Sequence, residues 1–227
     1  MGLLAAALTV VRLVLASASP SRGQLLQQAG IAFDRCTSDV DEDALAAELG
    51  GQVEPAALAL ALARAKAEAV AATVTANPET ADPETPDPDD RTTLVLGCDS
   101  LLELDGAVHG KPHTPAAATR RWQQQRGRSA TLITGHWLIE VGTGRAAGRT
   151  VATEVTFVDA TDEEIADYVA SGEPLGVAGA FTLEGRAGPL IERIDGDPSN
   201  VIGLSLPGLR TLLRHLGYTL RDVAAAE

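Results

Sequence analysis

The stretch LVLASASPSR, residues 13–22, decides the architecture, because it passes from one kind of element directly into another. Its first residues belong to an apolar run from Val11 to Ala16, the length of one buried strand. Ser19 then stands at a helix N-cap position and Pro20 at a first helical position, so a helix is expected from Pro20 to Ala29. A strand that feeds straight into a helix is the opening unit of an α/β fold. Arg22 fits poorly in that helix. A capping box would carry Glu or Gln there, and the helix dipole disfavours a cation in the first turn by roughly a few tenths of a kcal/mol. Two readings account for it. One is a solvated arginine on an ordinary capped helix. The other is an anion site, in which free backbone N–H groups, the Ser17 and Ser19 hydroxyls and Arg22 cradle a phosphate.

Upstream, Gly2 to Leu15 is mostly apolar and the ASA at 16–18 resembles a signal-peptidase site. A secretory leader places basic residues before its apolar run, whereas Arg12 falls late in this one. The expectation is a frayed N-terminus entering the first strand. No stretch reaches the ~18 unbroken apolar residues of a membrane span. A soluble, cytoplasmic protein with no membrane partner is therefore expected.

Downstream, strands and helices alternate. IAFDRCTS reads as a strand and residues 54–76 as a long helix. TTLVLGCDSLLELDG reads as a strand that bends at Gly97 and ends in an Asp-Gly turn. A helix over 115–126 precedes two long strands about the turn GTGR. In TDEEIADYVASG, Thr161 caps a helix, Glu164 completes a capping box and Gly172 lies past the end. A last helix spans Pro207 to Leu216. The sum is an α/β fold with an elongated mixed sheet flanked by helices.

Composition allows one large domain or two packed lobes over residues 1–227, since 227 residues at 45% hydrophobic content can bury a sizeable core. Aromatics make up only 3%, so that core should be Ala, Leu and Val. Cys36 and Cys98 sit in apolar runs and read as reduced core thiols. The net charge of −13 argues against a nucleic-acid polymer as partner, because phosphate backbones need a basic face. NPETADPETPDPDD, residues 77–90, is too proline-rich and polar for helix, strand or core, and reads as a solvated flexible loop.

The chain holds 16 arginines but only two lysines, Lys66 and Lys111. An ammonium is a compact point charge suited to crowded phosphate oxygens, whereas guanidinium prefers a bidentate face. Lys66 falls on the long helix; Lys111 falls in HGKP, where Pro112 favours an extended backbone. Asp99 in LGCDS follows an apolar strand, where an unpaired carboxylate is costly and a metal or cation would relieve it. SDVDED, residues 38–43, offers Glu42 as a second carboxylate, although a solvated turn explains that run equally well.

LASASPSRGQLLQQAGIAF, SDVDED, ARAKAEA, LGCDS, HGKP, GRSATLITGHWLI, SGEPLGVAGAFTLEG and DGDPSNVIGLSLP resemble, in that order, the motifs of Maf-type nucleoside triphosphate pyrophosphatases, also called septum-formation inhibitor proteins. The resemblance covers about Leu13 to Leu216. It implies an elongated α/β fold of two lobes about a central cleft, of the Maf/ITPase-like kind, usually as a homodimer. It also implies hydrolysis of a nucleoside triphosphate to monophosphate and pyrophosphate with a divalent cation, Mg²⁺ or Mn²⁺. The implied active positions are Ser17, Arg22, Glu42, Lys66, Asp99 and Lys111, with Asp99 and Glu42 holding the metal. Asp99 orients and deprotonates water, and the three cations stabilise the departing pyrophosphate. Ser19, Ser100, Ser199 and Asn200 are further expected around the substrate.

The chain departs from the family at several places. Ser21 stands where a second basic residue is common, Ser100 where Thr is common, and GVAGAF where many members carry DKAGAY. Glu184 replaces a frequent glutamine at a position the resemblance assigns to the base. A carboxylate only accepts hydrogen bonds and attracts positive charge, which suits guanine and, more so, cationic 7-methylguanine. Some relatives that prefer 7-methyl-GTP carry glutamate in similar context, so 7-methyl-GTP is expected above UTP and dTTP. The alternative is that Glu184 pairs with Arg186 on the surface. The competing functional class is a nucleotide-binding regulator of septum formation that needs no turnover. Asp99 separates the two, because a carboxylate beside a triphosphate repels it unless a metal intervenes.

Overall fold

The computed structural model describes residues 11–50, 53–76 and 92–225. The expected N-terminal fraying and the acidic loop at 77–90 lie outside them. Among the described residues seven strands form one sheet in the order β2, β1, β3, β5, β6, β7, with β4 folded back on β3. β1 (Val11–Ala16) runs parallel to β2 (Asp34–Cys36) and to β3 (Thr92–Leu104). β4 (Ala107–His109), β5 (Ser129–Glu140), β6 (Ala146–Phe157) and β7 (Ile191–Asp195) add antiparallel pairings. The result is the mixed α/β sheet expected from the alternating pattern. No described helix is long and apolar enough to cross a membrane.

β1 begins and ends where the sequence places it, and α1 (Pro20–Gln28) starts at the expected proline. α5 (Asp162–Ala170) carries the full capping box: Thr161 Oγ1 accepts from the Glu164 N–H, and Glu164 accepts from the Thr161 N–H at 2.7 Å. The strand read over 31–38 shrinks to Asp34–Cys36, with Ile31 making only an isolated bridge to Ala224. SDVDED is no mere turn. Asp41 accepts from the Ala44 N–H at 2.9 Å and starts α2 (Glu42–Leu49), whose first turn holds Glu42 and Asp43, the charge a helix N-terminus favours.

α3 (Pro55–Ala76) lies across β3 and β5, with Ala59, Ala63 and Ala67 fully buried against the sheet. Gly97 serves this contact rather than a bend. The β3 ladder to β5 runs through it without a shift, and a Cβ there would stand 2.1 Å from the Ala63 carbonyl oxygen. On the opposite face α1 and α7 (Leu206–His215) pack Leu25, Leu26, Leu209 and Leu212 on Leu13 and Leu15 of β1. That core is aliphatic, as composition predicts. The far end is not. Trp122 of α4 (Pro115–Gln125) meets Phe157 and Tyr168 edge-on at 5.5 and 5.3 Å, and Phe157 meets Phe181 at 5.0 Å. Four of the seven aromatics are thus gathered in one cluster, where such contacts add about 0.5–1.5 kcal/mol each beyond area burial. Both cysteines are free thiols, Cys98 buried and Cys36 half-buried.

Candidate active site

The carboxyl ends of β1 and the middle of β3 open into a cleft of about 910 Å³, large enough for a nucleotide. Parallel β1 and β3 place Ser17 and the α1 N-terminus beside Asp99 and Ser100. Ser19 holds the N-cap position of α1, yet its hydroxyl caps nothing; its own N–H donates to Ser17 Oγ at 3.2 Å. The first-turn N–H groups therefore receive no capping hydroxyl and face the cleft with the positive end of the helix dipole.

Arg22 is no solvated surface arginine, being only 9% exposed. Its Nε donates to the Gly203 carbonyl at 2.7 Å, Nη1 to Ser17 Oγ at 2.9 Å and Nη2 to Ser100 Oγ at 3.0 Å. Three of the five guanidinium N–H groups are thus fixed by the protein, leaving two for a ligand. Lys66, buried on α3, reaches down to Asp99 Oδ1 at 2.5 Å and across to Glu42 Oε1 at 2.8 Å. Burial lifts the Asp99 carboxyl above its ordinary range despite the opposing charges of Lys66 and Arg22. Burial also desolvates Glu42, but the hydrogen bond and charge of Lys66, with Lys111 and Arg22, outweigh it and hold that carboxyl low. The pair thus combines a carboxylate of raised basicity with one held ionised. Cys98, one residue from Asp99, is pushed up to about 11 by burial and remains an inert thiol.

Among the described residues no group of three or more His, Cys, Asp or Glu side chains converges as a metal cage. Asp99 and Glu42 converge as a pair, both in contact with one ammonium. Two carboxylates that leave room for substrate oxygens and water are the donor set of a phosphate-bound Mg²⁺ or Mn²⁺, so these residues fit such an ion.

Ser17, Ser19, Arg22, Glu42, Lys66, Asp99, Ser100 and Lys111 all line the cleft. Asn200 does not. It is fully buried, and its Nδ2 donates to the carbonyls of Leu132 and Val151 and to Thr153 Oγ1 at 3.1–3.2 Å. Its amide pins α6 (Pro198–Ile202) to β5 and β6. Ser199 likewise serves the fold, since its Oγ donates to Asp197 and accepts from the Leu206 N–H. Glu184 is exposed and outside the cleft lining, where the same motif instead presents Phe181 and Thr182. Nor is it paired with Arg186, whose backbone N–H donates to Glu173. Gly203 is the residue that sequence reading misses: its φ of 117° and its carbonyl on Arg22 make it part of the site wall. The only local trace is a glycine closing the short α6.

An open mixed sheet whose cleft gathers an uncapped helix N-terminus, three cations and four carboxylates, two of them joined to Lys66, defines an α/β protein with a densely charged cleft. The chain belongs to the Maf family: residues 12–216 match the family described as Maf-like protein. A protein of Streptomyces coelicolor is 51% identical over 94% of this chain and 95% of its own length. One of Thermosynechococcus vestitus is 49% identical over 94% and 98%, and one of Salinispora tropica is 50% identical over 92% and 86%. All three bear the name nucleoside triphosphate pyrophosphatase.

The site also makes a stability prediction. His136 of β5 is fully buried, and burial, with the Arg22 charge, lowers its pKa to about 4. A group whose folded pKa is depressed contributes stability that is complete above its unfolded pKa and lost as pH falls toward the folded one. The window here is pH 6.5 to about 4, and the contribution is about 3 kcal/mol. His136→Gln should therefore lose less stability than wild type across that window, measured by urea midpoints at pH 7, 5.5 and 4.5. Parallel losses in the two proteins would refute it.

Proposed function

We propose that this chain hydrolyses nucleoside triphosphates between the α- and β-phosphates, releasing a nucleoside monophosphate and pyrophosphate. The observation that carries the reading is the Lys66–Asp99–Glu42 cluster, Lys66 and Asp99 buried and Glu42 half-exposed, set beside the α1 N-terminus and Arg22. A cradle for anionic oxygens and a carboxylate of raised basicity meet in one cleft, and the names of the relatives point the same way.

The triphosphate lies against the first-turn N–H groups of α1, the Ser17 hydroxyl and the two remaining N–H groups of Arg22. Lys66 and Lys111 face it from the other side of the cleft. Asp99 orients a water and accepts its proton as the water oxygen bonds to the α-phosphorus; the bond to the bridging oxygen breaks and pyrophosphate departs. Arg22, Lys66 and Lys111 neutralise the charge that accumulates on it. Mg²⁺ or Mn²⁺ held by Asp99 and Glu42 would neutralise phosphate oxygens as a Lewis acid.

The preference for 7-methyl-GTP expected from Glu184 draws no support from the cleft, which that carboxylate does not line. One panel tests reaction and base together. ATP, GTP, CTP, UTP, dTTP and 7-methyl-GTP are assayed with Mg²⁺ and with Mn²⁺, scoring pyrophosphate against orthophosphate. Equimolar monophosphate and pyrophosphate are expected. Orthophosphate as the first product, or no turnover of any nucleotide, overturns the reading; the ranking of kcat/KM identifies the base.

A further inference from the structure

We propose that His136 is a positioning residue, which fixes the 203–205 turn and through it aims Arg22 into the cleft. The inference rests on the reading that Arg22 grips the phosphates. His136 is fully buried on β5, and its Nε2 accepts the Ser205 backbone N–H at 2.8 Å. An acceptor at Nε2 places the ring proton on Nδ1, which is buried without a partner, so the neutral imidazole is the form that makes this bond and the Ser205 N–H is its one hydrogen bond. Ser205 caps α7, its Oγ accepting from the Gly208 N–H at 2.9 Å, and also donates to Asp197, the cap of α6. The imidazole thus ties the junction between α6 and α7 to β5, beside the Ser205–Asp197 and Leu206–Ser199 bonds within the junction itself.

Two residues before Ser205, the Gly203 carbonyl takes the Arg22 Nε. There is little slack at this point, because a Cβ on Gly203 would stand 3.2 Å from that Nε. Thr134, two residues from His136 and on the same face of β5, supports the other side of the guanidinium. Its Oγ1 is 3.0 Å from Ser100 Oγ, the acceptor for Arg22 Nη2, and donates to the Asn200 carbonyl at 3.3 Å. Arg22 is therefore held between β3 and the α6–α7 junction, and both are referred to buried polar side chains of β5. Apolar residues fill a core position between strands as well as histidine does, and they leave no buried imidazole to satisfy. A histidine here is accounted for by the backbone N–H it receives.

The test is a double-mutant cycle on kcat/KM for pyrophosphate release, with affinity for a non-hydrolysable α,β-imido triphosphate as second readout. His136→Leu removes the acceptor and should lower kcat/KM on the order of 10-fold, as misaimed positioning groups do. In an Arg22→Ala background the same change should cost under about 2-fold, since there is no guanidinium left to aim. His136→Gln, which still presents an acceptor, should recover to within about 2- to 3-fold of wild type. If His136→Leu fails to fold, His136→Met carries the cycle. A loss that persists undiminished without Arg22, or a Gln variant as impaired as the Leu variant, overturns the proposal while leaving the reaction intact. An Arg22→Ala protein as active as wild type overturns the phosphate-grip reading and this proposal with it.

Discussion

Asp99→Asn should reduce turnover on the order of 10²-fold or more while the triphosphate still binds, a barrier increase of about 2.7 kcal/mol. Asparagine has the shape of the aspartate but cannot accept a proton from water at neutral pH. The fold should tolerate the change, because Lys66 keeps Glu42 as its partner at 2.8 Å and is not left as an isolated buried charge. Binding should persist as well, since Ser17, Arg22, Lys111 and the α1 N-terminus do not depend on Asp99 for their placement. The measurement is single-turnover hydrolysis beside calorimetric affinity for the α,β-imido analogue. Near-normal turnover would move the base from Asp99 to Glu42. Lost binding with lost turnover would make Asp99 a binding group.

What could be read from the sequence was what local chemistry determines. The strand at Val11–Ala16, the proline that opens α1, and the Thr161–Glu164 box each depend on residues a few positions apart, and each is found as read. Asp99 stood out because a carboxylate after an apolar strand is costly without a partner, Lys66 and Lys111 because they are the only two lysines beside 16 arginines, and Glu42 as a carboxylate of the SDVDED run; the fold brings all four to one cleft. The helix carrying Glu42 was missed because an acidic run is equally at home in a turn; only the Asp41 cap distinguishes them. Asn200 lies in the core and not in the cleft for a different reason. A polar residue in a motif has partners far along the chain, and no spacing rule reveals that the Asn200 amide is taken by carbonyls of β5 and β6. The partner of Arg22 on Gly203 lies 181 residues away and is likewise a product of the sheet order.

That sheet order also explains how a lysine comes to be buried on a carboxylate, and it sets the last expected result. Gly135 pairs with Asp99 across β5 and β3, and α3 lies directly on this pair. A Cβ on Gly135 would stand 2.2 Å from the Ala59 carbonyl oxygen and 2.6 Å from the Leu60 nitrogen. Both are helix backbone, so no side-chain rotation relieves the overlap; α3 has to lift from the sheet. Lys66 lies two turns further along the same face of α3 and reaches Asp99 only because the helix sits this close. Gly135→Ala should therefore do two things at once. Overpacking should cost about 1–3 kcal/mol, lowering Tm by about 2–4 °C per kcal/mol in a chain of this size. Drawing Lys66 away from Asp99 and Glu42 should lower kcat/KM by about 10-fold or more, as misplacement by an ångström does. Gly188→Ala is the control, because its nearest neighbour, the Leu183 carbonyl oxygen, would lie at an ordinary 3.5 Å. It should melt and turn over within narrow limits of wild type. If Gly135→Ala does the same, the glycine contact is not what seats Lys66. If it melts early yet keeps full activity at a temperature where it is folded, α3 can rise without disturbing the Lys66–Asp99 pair, and the coupling between helix packing and the site is absent.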